Sequence, residues 1–199
     1  MAPLTARDVI LEILRNAGGE WVGKTRLDKA FYFAHLYYAN ERPGLLTDRP
    51  IARMRHGPGI DKGDTLLAEL VQDGYITEEN IQDGPYPENR YRLTDKGRQV
   101  SEIPDDAKCA IEKATAFCRT KSAAELSQIT HDRSRSWNLA KEGEILNIHI
   151  DTIPEDEYEK RKAELERLDG LLSTVGDEAT SQGISGRSRA GVPAERVPF

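Results

Sequence analysis

The sequence predicts a mainly α-helical chain with one small β-hairpin, an α+β class. Three observations carry this. Helix-capping residues stand ahead of apolar runs at helical spacing in several places. Glycine or proline closes those runs. One stretch, from Tyr75 to Leu93, reads instead as two strands joined by a polar loop.

The first helix opens at Thr5, with Asp8 three residues on as a capping box. Val9, Ile10, Ile13 and Leu14 form its apolar stripe, and Gly18-Gly19 ends it. Thr25 with Asp28 repeats the capping pattern ahead of an aromatic-rich helix. Leu27, Ala30, Phe31, Ala34 and Tyr38 mark one stripe there, with Phe33 and Tyr37 alongside, until Pro43-Gly44 breaks it. A loop with Asp48 and Pro50 leads to a short extended stretch near Ile51–Met54. His56-Gly57-Pro58-Gly59 is expected to be a turn, since proline and glycine there exclude regular structure. Leu66, Leu67, Leu70 and Val71 form the next helical stripe, which stops at Asp73-Gly74. Tyr75-Ile76-Thr77 begins a strand, a loop rich in Asp, Gly and Pro runs to Glu88, and Arg90-Tyr91-Arg92-Leu93 returns. Thr94 caps a following helix through Lys96-Gly97. A helix ending in glycine, a hairpin with a long tip, then Tyr-Arg-Leu-Thr-Asp-Lys-Gly is the order of a winged helix-turn-helix. The domain is therefore read as winged-helix-like.

Beyond Pro104 the chain is helical again, with Ala107, Ile111, Ala114 and Phe117-Cys118 as one stripe. Ser122 with Glu125 makes another capping box, for a helix through Ala124, Leu126 and Ile129. Trp137 and Leu139 belong to a further short helix, and Ile145, Ile148 and Ile150 close the globular part. Pro154 begins a highly charged helix, Glu155 to about Leu172, with a narrow stripe of Tyr158, Leu165, Leu168 and Leu172. Such a stripe suits a helix packed on a partner or on its own domain. The expected division is a globular domain over 1–153, a charged amphipathic helix over 154–173 and a disordered tail over 174–199.

Composition narrows the function classes. No apolar run approaches the roughly 18 residues of a membrane span, and the charged start of the chain is not a signal peptide. A cytoplasmic protein is expected. Cys109 and Cys118 stand nine apart in one helix, out of disulfide reach, and read as small core residues. The net charge of −6 is uneven: residues 1–100 carry 14 basic and 15 acidic side chains, the rest 14 and 19.

Gly18 to Thr25 satisfies the G-x-x-x-x-G-K-[ST] phosphate loop, with Lys24 for the phosphates and Thr25 for magnesium. That loop needs a buried strand before it, and the preceding segment is helical in pattern. Trp21 is also bulky for a loop that wraps phosphate, so a helix–turn–helix connection capped by Thr25 is expected, with no cofactor. His35, His56, His131 and His149 form no spaced ligand set with the cysteines, so no metal site is expected. No nucleophile motif or carboxylate pair points to catalysis. DNA binding through Arg53, Arg55, Arg90, Arg92 and Lys96 is the alternative reading. Against it, the helix from Asp64 to Asp73 offers Asp64, Glu69, Gln72 and Asp73 and no basic side chain to a phosphate backbone.

Three segments resemble a known family in order and spacing. Leu27-Asp28-Lys29-Ala30-Phe31-Tyr32-Phe33-Ala34 is similar to the L-x-K-L-L-Y-F-A helix of the Panacea domain, the SocA-like antitoxins of toxin–antitoxin systems. Ile51 to Pro58 resembles that family's short strand and its aromatic-x-[YH]-G-P turn, and Ser122 to Trp137 its S-x-x-E-L-S…H…W segment. The resemblance covers about residues 5–150. Met54 stands where an aromatic is usual and Gly59 where an aliphatic is, and the helix from Pro154 lies outside the pattern. The resemblance implies an antitoxin that neutralises a co-encoded protein toxin by direct contact, or an adaptor that delivers the toxin to a protease. Neither role needs catalytic residues. Homo-oligomerisation is compatible with either, and an autorepressor binding DNA is the alternative. Tyr32, His35, Tyr37 and the His56-Gly57-Pro58 turn are the candidate partner-binding residues. The competing reading is that the aromatics and the Gly-Pro turn hold the core together.

Overall fold

A computed structural model describes residues 4–42, 44–82, 86–99 and 103–181. It divides into two compact units, Met1–Ile153 and Pro154–Phe199. The first is mostly helical with small antiparallel sheets.

Helix α1 (Ala6–Asn16) starts on the Thr5–Asp8 capping box and buries Val9, Ile10, Ile13 and Leu14 completely. Gly18 and Gly19, both at positive φ, turn the chain into strand β1 (Glu20–Val22). Helix α2 (Lys24–Glu41) follows directly. Gly23 is its N-cap, at φ 89, and no side chain caps it. The expected Thr25–Asp28 box does not form: the helix begins one residue before Thr25, and Asp28 is turned inward. Nor is α2 a one-sided stripe. Leu27, Ala30, Phe31 and Ala34 are buried, and so are Asp28, Lys29, Tyr32 and His35, because α2 is the central element of the unit.

Strand β2 (Ile51–Met54) pairs antiparallel with β3 (Gly57–Ile60), Ile51 opposite Ile60 and Met54 opposite Gly57. The turn expected over His56–Gly59 is thus confined to Arg55-His56, and Gly57, Pro58 and Gly59 are strand. Pro58 fits because β3 is an edge strand that lacks nothing by losing one donor. On the other side of β2, Gly143 to Leu146 adds a short third edge: Arg53 N donates to Glu144 O and Leu146 N to Ile51 O, each at 2.8 Å.

Helix α3 (Gly63–Gln72) buries Leu66, Leu67 and Leu70, and stops at Asp73-Gly74. Strands β4 (Ile76–Ile81) and β5 (Glu88–Leu93) form the expected hairpin, but β1 joins it, giving the order β1-β5-β4. Trp21 and Tyr91 pair across β1 and β5 and are both buried. Thr94 caps α4 (Asp95–Arg98), where a Cβ on Gly97 would lie 2.1 Å from the Tyr75 carbonyl oxygen. Helix α5 (Asp105–Arg119) packs along α2. Cys118 is buried as expected, but Cys109 is exposed on the opposite side. Helix α6 (Ala123–Arg133) starts on the Ser122–Glu125 box, and α7 (Arg135–Leu139) is capped by Ser134. A 3-10 turn (Ile148–Thr152) ends the unit with Ile148 buried, while Ile145 is exposed.

In the second unit, helix α8 spans Glu155–Ser181, running past the boundary expected at 173. Its first turns carry the i,i+4 pairs Asp156–Lys160 and Glu157–Arg161. The rest of the expected tail lies outside the described residues.

Candidate protein-docking face at the β2–β3 turn

Successive turns of α2 set Lys24, Asp28, Tyr32 and His35 along one side, with Lys29 beside them. Each finds a partner from a distant segment. Asp28 accepts from Lys24 Nζ at 3.1 Å and, more weakly, from Ile60 N at 3.5 Å. Burial raises its carboxyl above the usual carboxylate range, against the pull of Lys24. Lys29 is 1% exposed and donates through Nζ to the Pro58 carbonyl at 2.7 Å. Burial pushes its ammonium down to about 8. There is no room to spare here, since a Cβ on Gly57 would sit 2.7 Å from that Nζ and 2.4 Å from Thr130 Oγ1.

Tyr32 donates to Asp151 Oδ2 at 2.8 Å, and the same carboxylate accepts from Ser134 Oγ, Ser136 Oγ and Ser136 N at 3.0, 2.6 and 2.8 Å. Burial and the facing carboxylate raise the Tyr32 hydroxyl well above the ordinary phenol range. His35 is fully buried. Its Nδ1–H donates to the Phe31 carbonyl at 2.9 Å, which leaves Nε2 to accept from Thr47 Oγ1 at 3.2 Å. Burial lowers its pKa to about 4. Tyr37 is half-buried against the core. Tyr32 and His35 were candidates for partner contact; the fold instead places both inside, satisfied by internal hydrogen bonds.

A second set of contacts clamps the β2–β3 hairpin. Trp137 Nε1 donates to the Met54 carbonyl at 2.9 Å, and Arg53 Nε to the Trp137 carbonyl at 3.0 Å. The Arg53 guanidinium lies 4.2 Å above the Trp137 ring, and His131 stacks on that ring at 4.2 Å and 12°. Gly57 and Pro58 are buried by these clamps. What remains outside is the turn itself, where Arg55 and His56 are both exposed.

The turn borders an open cleft of about 830 Å³, whose walls include Lys24, Thr25, Tyr86, Asn89 and Ser127. Lys24 is paired with Asp28 and Asp64, at 3.1 and 3.5 Å. The phosphate-loop arrangement is absent: Glu20–Val22 is a strand, and Lys24 is turned to carboxylates. Among the described residues no group of three or more His, Cys, Asp or Glu side chains is placed to hold a metal ion.

The cations of the DNA reading fare differently from one another. Arg90 pairs with Glu20 and Glu79, at 3.3 and 3.6 Å, and Arg92 with the same two at 2.7 and 2.9 Å. Lys96 donates to the Asp73 carbonyl at 2.6 Å and lies over the Tyr75 ring, and Arg53 is spent on Trp137. Arg55 alone of the five has no hydrogen bond or ion pair among the described residues.

Sequence reasoning missed Lys29, Asp151 and the Ser134–Ser136 pair. Lys29 had a signal, because it is the lysine of the L-x-K helix motif. The Asp151 hub had none, since its donors, Tyr32 on α2 and Ser134 with Ser136 at the start of α7, lie in two stretches far from each other and one of them far from Asp151 in the chain.

Comparisons with curated proteins and with solved structures each returned no match. The family described as antitoxin SocA-like, Panacea domain, matches residues 27–138. That span runs from α2 through the clamped hairpin to Trp137 and covers more than half of the chain. The chain belongs to the SocA-like antitoxin family and carries its Panacea domain.

Proposed function

We propose that this chain is a cytoplasmic, non-catalytic antitoxin that neutralises a co-encoded toxin by direct protein contact. Family membership over residues 27–138 carries the reading. The hairpin supports it: a rigidly clamped segment that exposes only its tip is suited to contact rather than chemistry. The same contact would serve an adaptor that hands the toxin to a protease. The test is co-expression with the product of the adjacent small reading frame. That product should arrest growth alone and be harmless with this chain, and the purified pair should co-elute. Absence of both rescue and complex would refute the reading. Toxin that persists at full level in rescued cells would argue for neutralisation over delivery to a protease.

The finer fold we propose is a winged helix. Elements α1, β1, α2, α3 and the β4–β5 hairpin follow in its order, with β1 lying beside β5. That order favours a second reading, an autorepressor binding DNA. The internal pairing of Arg90 and Arg92 and the acidic α3 weigh against it. Operator binding at low salt that is lost on Arg90→Ala with Arg92→Ala would revive it.

A further inference from the structure

We infer that the cleft between the Arg55-His56 turn and Tyr86 is the toxin-docking site, and that it takes an acidic segment of the toxin with Arg55 as the anchor. This rests on the antitoxin reading.

The turn carries charge that is not already committed. Around the cleft Lys24 answers Asp28 and Asp64, and the wing arginines answer Glu20 and Glu79. Arg55 and His56 have no hydrogen bond or ion pair among the described residues. A carboxylate arriving at Arg55 therefore gains a planar, bidentate donor without breaking an existing pair.

The turn is also rigidly mounted. Both strands beneath the turn are held, β3 by Lys29 on the Pro58 carbonyl and β2 by Trp137 on the Met54 carbonyl. An exposed arginine on a fixed two-residue turn loses less freedom on binding than one on a loose loop. Across the cleft from the turn stands an aromatic side chain. Tyr86 is 78% exposed and lines the cleft. Arginine and tyrosine are, with tryptophan, the side chains enriched among those that carry binding energy at protein interfaces. The N-terminus of α2, without a side-chain cap, opens on the same cleft and adds partial positive charge. Glu88 also lines the cleft. It restricts an incoming carboxylate to the turn side.

The experiment uses the full-length chain and the purified product of the adjacent reading frame. Arg55→Glu and Tyr86→Ala should each weaken the complex at least tenfold by calorimetry and abolish rescue in co-expression. Arg55→Lys keeps the charge but loses the planar fork, so its affinity should fall between those of the wild type and Arg55→Glu. Lys108→Glu, a charge reversal on the exposed side of α5, should leave it unchanged. Raising salt should weaken the wild-type complex more than the Arg55→Glu complex. All four variants lie at exposed positions, and unchanged melting curves will show that they fold. Wild-type affinity in both Arg55→Glu and Tyr86→Ala would overturn the inference while leaving the antitoxin reading intact. A wild-type chain that neither binds nor rescues would remove both. Arg55-dependent binding of a short DNA duplex with no effect of Arg55→Glu on the toxin complex would reassign the cleft to phosphate.

Discussion

Replacing Lys29 with methionine keeps most of the side chain's length while removing its charge and its donor. In the folded chain the ammonium is buried and its pKa falls from 10.5 to about 8. A lysine held lower in the folded than in the unfolded state binds fewer protons when folded. Stability therefore rises as pH climbs from about 8 towards 10.5, and below 8 the full cost of burying the charge is present. At about 1.4 kcal/mol per pKa unit, that window is worth on the order of 3 kcal/mol. At pH 7 two effects of Lys29→Met oppose each other. The Pro58 carbonyl loses its donor, at about 1–3 kcal/mol, while the buried charge is relieved. The net change there is small, and the informative quantity is the difference between the two chains as pH rises. Urea denaturation followed by tryptophan fluorescence, run in parallel from pH 7 to pH 10, measures it. The wild type should gain about 2–3 kcal/mol on the variant over that range. Parallel curves would show that Lys29 titrates as an exposed lysine and does not hold the hairpin.

Gly57→Ala should cost about 2–5 kcal/mol, summing a left-handed penalty and overpacking against Thr130 and Lys29. Gly18→Ala, at φ 87 with open space around it, is the control and should show the left-handed part alone; equal losses in urea melts would refute the clash. His35, lowered to about 4 from 6.5, binds fewer protons when folded, so its stability contribution is complete above about pH 6.5 and is lost as pH falls towards 4, roughly 3 kcal/mol in all. In His35→Gln that acid-side loss should shrink, and an unchanged difference between pH 7 and pH 4.5 would count against a buried neutral imidazole. Asp151→Ala strands donors from Tyr32, Ser134 and Ser136 and should cost about 3–5 kcal/mol. Asp151→Asn, which keeps an acceptor, should cost less, and a melting temperature for Asp151→Ala within about 2 °C of wild type would dismiss the hub.

What was legible in the sequence was local. The boxes at Thr5–Asp8 and Ser122–Glu125 and the cap at Thr94 link residues three apart, and all three form. What was hidden depended on pairing across long separations. Glu20-Trp21-Val22 is too short to show a strand period, and it becomes β1 only because β5 lies beside it. Gly57-Pro58-Gly59 reads as a turn by composition, yet the strand exists because β2 pairs with it and Lys29 takes its carbonyl. The site followed the same rule. Arg90 and Arg92 look like phosphate ligands until Glu20, far back in the chain, is found between them. Arg55 could be separated from the other cations only by seeing which charges were already satisfied.

The two departures from the family pattern in the hairpin are, by geometry, a single one. A Cβ on Gly59 would stand 2.9 Å from Met54 Cγ, so the methionine occupies the space that an aliphatic residue at 59 would take. An aliphatic at 59 calls for a side chain at 54 that leaves by another direction, and the family's aromatic would be such a side chain. Gly59→Val alone should then cost about 1–3 kcal/mol from overpacking. Adding Met54→Phe should recover part of that loss, so the double variant is less destabilised than the two singles together. The Met54 carbonyl also accepts from Trp137, so the same substitutions test whether the clamp tolerates repacking beneath it. If the two losses simply add in a double-mutant cycle, Met54 and Gly59 do not share that space. The hairpin's difference from its family would then be two unrelated changes, neither of them bearing on how Arg55 is presented.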